Sequence, residues 1–481
     1  MASLDFEPLT YAEIPENRRP SLGMALLPVL ATVVFLAVGS AWLKMDPHVP
    51  LLWAIVFTGL VGYYGLEMSW DDLYEGVADS LLMGLQAVLI LFTIYALIST
   101  WISSGTIPGL MYYGLEVLSP TVFLPVTALL SGLVAFSIGS SWTTVGTLGV
   151  AFIGIGSGLG VPAPMTAGAI LSGAYAGDKQ SPLSDTTNLA AAVTNTDLYD
   201  HIRGMRTGTI VAFGLGVLAY AYLGLQSVGG GSTGSVGQIQ SALMSTYSLS
   251  LLVFLPLAVT FGLALRGYPA LPSLIAGVFS GALTTILVQG KSFTAGWQVL
   301  LSGTSPETGM KMVNNLLASG GIEGSAWTIS VVVAALTLGG LLETTGTLAV
   351  LAHHLSKKVS SVGGLVAGTG ASATLTNVLT AQQYMSIVVP GMTLRNLYDE
   401  YGLESKDLSR AVEAAGTPTG ALIPWHAGAV YMATALGVPT LEYAPYYFFG
   451  FLSPAILFLM AASGWGIGTP SDSRTSPTTA D

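Results

Sequence analysis

Apolar stretches at 21–43, 120–139, 207–225, 248–265, 324–342 and 444–463 recur along this chain, each about the length a helix needs to cross hydrocarbon. In lipid every backbone N–H and C=O must be satisfied within the span, so such stretches fold as helices. Charge is correspondingly scarce. Only 9% of the residues are charged, against about a quarter in an ordinary soluble domain, and the mean hydropathy is +0.67. The 59 glycines suit close helix–helix contact in a bilayer. Together these features predict an all-α, multi-pass protein of the plasma membrane, with about 10–13 transmembrane helices.

Residues 1–20 read as a polar tail containing Arg18 and Arg19. The apolar run behind them is too long for a signal-peptide core, so it reads as a retained first helix. There is no cysteine, which excludes disulfides and thiolate metal sites. The net charge of −11 sits mostly in tails and loops, an acidity that suits a high-salt habitat where screening removes self-repulsion. Lysine and arginine are sparse, leaving Arg18, Arg19 and the 395–410 segment as the cytoplasmic candidates. The Gly/Ser-rich segment 227–240 reads as a connector between a first membrane half, 21–226, and a second, 241–467. Residues 468–481 are Ser/Thr/Pro-rich and read as a disordered tail.

The two halves carry matching polar interruptions. In the first, Gly-Ser-Ser-Trp-Thr-Thr-Val-Gly at 139–146 breaks an apolar run, and Gly-Asp-Lys-Gln-Ser-Pro-Leu-Ser-Asp-Thr-Thr-Asn-Leu follows at 177–189. In the second, Asn-Val-Leu-Thr-Ala-Gln-Gln-Tyr at 377–384 is followed by Glu-Ala-Ala-Gly-Thr-Pro-Thr-Gly at 413–420. Asp178 precedes Ser181-Pro182 as Glu413 precedes Thr417-Pro418. Paired interruptions of this kind point to two inverted repeats with broken or re-entrant helices, the first site at 139–189 and the second at 377–425.

Proline removes a backbone donor and frees carbonyls, and freed backbone is tolerated at membrane depth only where it lines a cavity or is buried. Carbonyls, hydroxyls and carboxylates are hard oxygen ligands, and Na⁺ fits them. A carboxyl in a dry pocket favours its neutral form, and a bound cation the ionised one. Proton and sodium then compete for one group, the minimum machinery of exchange. Asp178 and Asp185 are the candidates to hold Na⁺ and to titrate. Glu413 either joins them or hydrogen-bonds between helices. Ser181, Ser184, Thr186, Thr187 and Asn188 are ligands or caps. Lys179 is either a countercharge or a side chain snorkelling to water. Ser140, Ser141, Thr143 and Thr144, with Asn377, Gln382 and Gln383, supply dipoles where the broken elements cross, and Thr417 is a further supporting ligand; helix N-termini there could also hold an anion. His201 reads as a cap or loop residue, with a pH sensor as the alternative. The Gly154-Ile-Gly-Ser-Gly-Leu-Gly160 run has the wrong spacing for a dinucleotide fingerprint, and no nucleic-acid signature is present.

At 101–109, 139–147, 166–170, 177–189 and 197–203, and more loosely at 390–391, 408–410 and 417–425, the chain resembles the NhaC family of sodium/proton antiporters. The resemblance implies an elevator-type carrier, often a homodimer, embedded in lipid and moving Na⁺ and protons without a cofactor. It also admits an exchanger of malate for lactate, in which the Ser141 and Gln383 regions bind a carboxylate. A channel or sensor fits paired broken helices with titratable acids less well.

Overall fold

The computed structural model describes residues 9, 11–43, 45–226, 233–357 and 359–467; the C-terminal tail at 468–481 lies outside them. All regular structure among the described residues is helical, apart from one isolated antiparallel bridge between Thr304 and Ser319. Among the described residues, seven helices are long and apolar enough to cross a membrane, or nine if two bent pairs each count as one span. The expectation of about 10–13 also counted helices that are broken or polar, and it is these that build the site.

Trp70–Ser103, the longest helix at 34 residues, opens on a capping box in which Ser69 Oγ accepts from Asp72 N–H and Asp72 Oδ2 from Ser69 N–H. The stretch read as a polar N-terminal tail is partly packed: Ile14 is buried and Tyr11 stacks on His353 at 3.6 Å. The connector reading fails over its second part. Residues 227–232 lie outside the described set, but Thr233–Thr246 is a helix whose Ile239 and Leu243 are buried, four residues apart on one face.

Both halves repeat one backbone device. Pro120–Ile138 ends at Gly139, left-handed at φ 72°; Ser140 is extended (φ −155°, ψ 112°) and caps the next helix, Ser141–Thr144. In the second half Val362–Thr380 ends at Ala381, left-handed at φ 54°; Gln382 is extended (φ −131°, ψ 118°) and caps Gln383–Thr393. A second device follows each. Ala163–Asp178 and Ser405–Gly420 are both 16 residues long, and each stops at a six-residue break with proline fourth, Pro182 and Pro424. The next helices, Asp185–Val193 and Ala427–Leu436, are capped by the last residue of the break, Ser184 and His426.

The halves interlock reciprocally. Asp185–Val193 packs on Gln383–Thr393 and on Ser405–Gly420, while Ala427–Leu436 packs on the wide turn Val145–Gly149 and on Val150–Gly158. Glycine sets the closest approach. Ala163–Asp178 lies against Pro120–Ile138 so tightly that a Cβ at Gly173 would sit 2.0 Å from Ala128 O, and one at Gly177 2.0 Å from Gly132 O. That contact carries the end of the helix, Asp178, to the cap at Ser140.

Candidate functional site

A cavity of about 220 Å³ lies where the two halves cross. Ser141, Asp178 and Asp185 reach it from the first half; Gln383, Tyr384 and His426 reach it from the second. Gln86 and Tyr268 contribute from elsewhere in the chain.

Asp178 ends a helix, where the backbone dipole is unfavourable to a carboxylate. It is held by the opposite kind of helix end: Oδ2 accepts from Ser141 N–H at 3.0 Å and from Ser141 Oγ at 2.7 Å. Its other oxygen, Oδ1, is buried and makes no hydrogen bond within 3.5 Å. Asp185 begins the following helix and is exposed at the cavity wall. Its Oδ1 accepts from Thr186 N–H at 2.8 Å, and its Oδ2 from the Tyr384 hydroxyl at 2.6 Å. The break at Pro182 therefore brings both carboxylates to one chamber, one buried and one open.

Four N-termini of the broken helices meet at that chamber, those beginning at Ser141, Asp185, Gln383 and Ala427, and the start of Ala270–Leu287 lies beside them. Each contributes roughly half a positive charge to its surroundings. Those of the first half face acids. Those of the second half face amides and an imidazole. Gly428 N–H donates to His426 Nδ1 at 2.9 Å, so the ring hydrogen lies on Nε2 and is donated to Asn377 Oδ1 at 3.0 Å. Asn377 Nδ2 in turn donates to Gly416 O and to Thr419 Oγ1. This network pins the second break as Ser141 pins the first.

Of the residues singled out in the sequence, Ser141, Asp178, Asp185 and Gln383 line the chamber; Gln383 Oε1 is buried without a hydrogen bond within 3.5 Å. The hydroxyls mostly serve the backbone. Thr143 N–H and Oγ1 donate to Ser140 Oγ, Thr144 Oγ1 donates to Ser140 O, and Ser181 Oγ accepts from Leu183 N–H. Ser184 Oγ caps Thr187 N–H, and Asn188 Nδ2 donates to Pro182 O and Ser184 O. Lys179 is buried, donating to Glu413 O and to Thr417 Oγ1; it does not snorkel.

Glu413 stands behind the wall rather than on it. Its Oε1 accepts from Thr186 Oγ1 and Thr187 Oγ1 at 3.3 and 3.2 Å, and its Oε2 lies 2.5 Å from His201 Nε2. His201, read as a cap or loop residue, is instead fully buried. The pairing of Pro418 with Pro182 also needs correcting. Pro418 lies inside the unbroken helix Ser405–Gly420, and the carbonyl it would have bonded, Ala414 O, accepts from Ser453 Oγ at 2.6 Å. The true counterpart of Pro182 is Pro424. Ser140, Gln382 and His426 also line the chamber, and sequence reasoning gave Tyr384 no role although it closes the second quoted interruption.

Apolar spans around paired broken helices and a buried acidic chamber define a multi-pass secondary carrier. The family model described as "Na+/H+ antiporter family" matches residues 17–178 and 173–465, and the chain belongs to that family. It is 55% identical over 465 residues to the arginine/ornithine antiporter ArcD of Halobacterium salinarum, covering 96% of each chain. It is 37% identical over 453 residues to the Na(+)/H(+) antiporter NhaC of Alkalihalophilus pseudofirmus, covering 94% of this chain and 98% of that one. The malate-2H(+)/Na(+)-lactate antiporter of Bacillus subtilis is 34% identical over 444 residues, with 92% and 93% covered.

Proposed function

We propose that this chain is a secondary antiporter exchanging Na⁺ for protons at Asp178 and Asp185, and that its two halves are inverted repeats rocking past each other. One observation carries the reading: both carboxylates, from the two ends of one helix break, share a single chamber, and one buried Asp178 oxygen makes no hydrogen bond within 3.5 Å. A cation fits that oxygen and the open Asp185 carboxylate; protons on the same groups release it. Ser141 holds Asp178 in place throughout, and Tyr384 orients Asp185.

A second reading is favoured by the size of the chamber and by the 55% identical relative. About 220 Å³ exceeds the roughly 150 Å³ cavity that admits benzene in an engineered core, so an organic ion fits where a bare cation leaves space. In that reading a cationic amino acid such as arginine sets its positive group against Asp178 and Asp185, and its carboxylate against Gln383 and the second-half N-termini. An organic acid such as malate would use the latter end alone. Everted vesicles separate the three. Na⁺-driven collapse of a pH gradient in organic-free buffer supports the first. Arginine uptake driven by internal ornithine, with no Na⁺ requirement, supports the second, and dependence on malate or lactate the third.

A further inference from the structure

A fully buried polar group outside the chamber is built around Glu413. The carboxylate has no exposed surface, and neither does His201. Ser409 Oγ lies within hydrogen-bond distance of Lys406 O, at 3.1 Å, and of His201 Nδ1, at 2.9 Å. On the far side of the ring, Nε2 lies 2.5 Å from Glu413 Oε2, so the imidazole ties the buried carboxylate to Ser409. On the other side of Glu413, Oε1 collects two hydroxyls, Thr186 and Thr187. These belong to the first turn of the helix that begins with Asp185. The main chain of the same turn of Ser405–Gly420 is gripped by Lys179, whose ammonium donates to Glu413 O.

We propose that His201 is a positioning residue of the transport site, acting through Glu413 to fix the register of the helix that presents Asp185. The proposal rests on Asp185 as a transport ligand. Tyr384 holds the Asp185 side chain, and Glu413 holds the turn behind it; both come from the second half, so the open acid of the first half is aimed by its partner half. His201 lies on a third element, Leu198–Gln226, and keeps Glu413 aimed. Without the imidazole, Glu413 Oε2 loses its ring partner and the two hydroxyls lose a fixed acceptor. The effect reaches substrate binding without any contact between His201 and the chamber.

The test is transport kinetics of His201→Gln and His201→Ala in proteoliposomes, for whichever substrate the wild type exchanges. The expected result is a KM raised about tenfold in His201→Ala and about threefold in His201→Gln, which keeps a donor toward Glu413, with kcat changed less than twofold in both. Thr187→Val, at the other end of the relay, should raise KM about threefold, and adding it to His201→Ala should raise KM no further. A purely structural histidine would lower the amount of inserted protein and leave KM alone. An unchanged KM in inserted His201→Ala, or multiplicative effects in the double variant, overturns the proposal. If His201→Ala does not insert, Thr187→Val decides alone, and a wild-type KM there overturns it. The underlying reading fails separately, when Asp185→Asn transports with the wild-type KM.

Discussion

The two helix breaks share a backbone and differ in chemistry. At 179–184 the break runs from Asp178 to Asp185; at 421–426, with proline in the same place and a cap at the same end, it runs from Gly420 to Ala427. The first half brings acids to the chamber. The second brings an imidazole, two amides and the ends of two uncharged helices. The frame is thus separable from the cargo chemistry. Broken helices with caps make an opening lined by polar backbone, and side chains at the ends of the break decide what enters. An acidic and a neutral wall facing each other also explain how relatives with one fold carry names as different as sodium, malate and arginine exchange.

The largest effect should come from erasing the chemical difference while keeping the frame. Asp178→Asn retains an acceptor for Ser141 but removes the charge, and Asp185→Asn retains one for Tyr384. Each should lower exchange in everted vesicles more than a hundredfold, about 3 kcal/mol of lost stabilisation, with normal membrane insertion. Wild-type rates in both would remove the acids from the site.

The next effect breaks the frame. Gly139 needs its left-handed φ, and a Cβ there would lie 2.5 Å from the Leu183 carbonyl carbon. Gly139→Ala should therefore cost about 3 kcal/mol or more from strain and clash combined, read as a loss of folded protein in detergent melts. Its counterpart, Ala381, already carries a Cβ at φ 54°. Ala381→Gly should be neutral or stabilising by up to about 1 kcal/mol. A harmless Gly139→Ala would mean that the first turn tolerates a Cβ as readily as the second.

A smaller effect belongs to the neutral wall. His426 caps Ala427–Leu436 and ties that helix through Asn377 to Gly416. His426→Asn keeps a capping oxygen and loses the reach to Asn377, so it should weaken transport roughly three- to tenfold, about 1 kcal/mol. An unchanged rate would mean that the second break is held by its backbone alone.

The sequence made the membrane class, the broken helices and the pair Asp178/Asp185 legible, because apolar length, proline and charge in lipid are local signals. What stayed hidden is contact across the chain. Tyr384 meets Asp185 over 199 positions, and His201 meets Glu413 over 212, and no spacing announces either. The left-handed turn at Ala381 carries no glycine, so it gives no sign. The helix Thr233–Thr246 hid in a Gly/Ser-rich stretch because its buried face shows only a few apolar residues. Pro418 misled for the opposite reason: the local signal was strong, and a distant serine cancels it.

That cancellation gives the finest comparison between the breaks. Pro182 and Pro424 sit where the chain leaves the helix, whereas Pro418 sits inside one and leaves Ala414 O without its usual amide donor. Ser453 Oγ, from Phe448–Ser463, fills that role at 2.6 Å. Ser453→Ala should then cost about 1–3 kcal/mol, the penalty of a buried carbonyl left unbonded. Pro418→Ala alone should change stability little, since the carbonyl is already satisfied. In the double variant the amide that Pro418→Ala restores can bond Ala414 O, and most of the Ser453→Ala cost should disappear. Thermal melts of the four proteins give the cycle, and additive effects would show that the serine and the missing amide are not exchangeable.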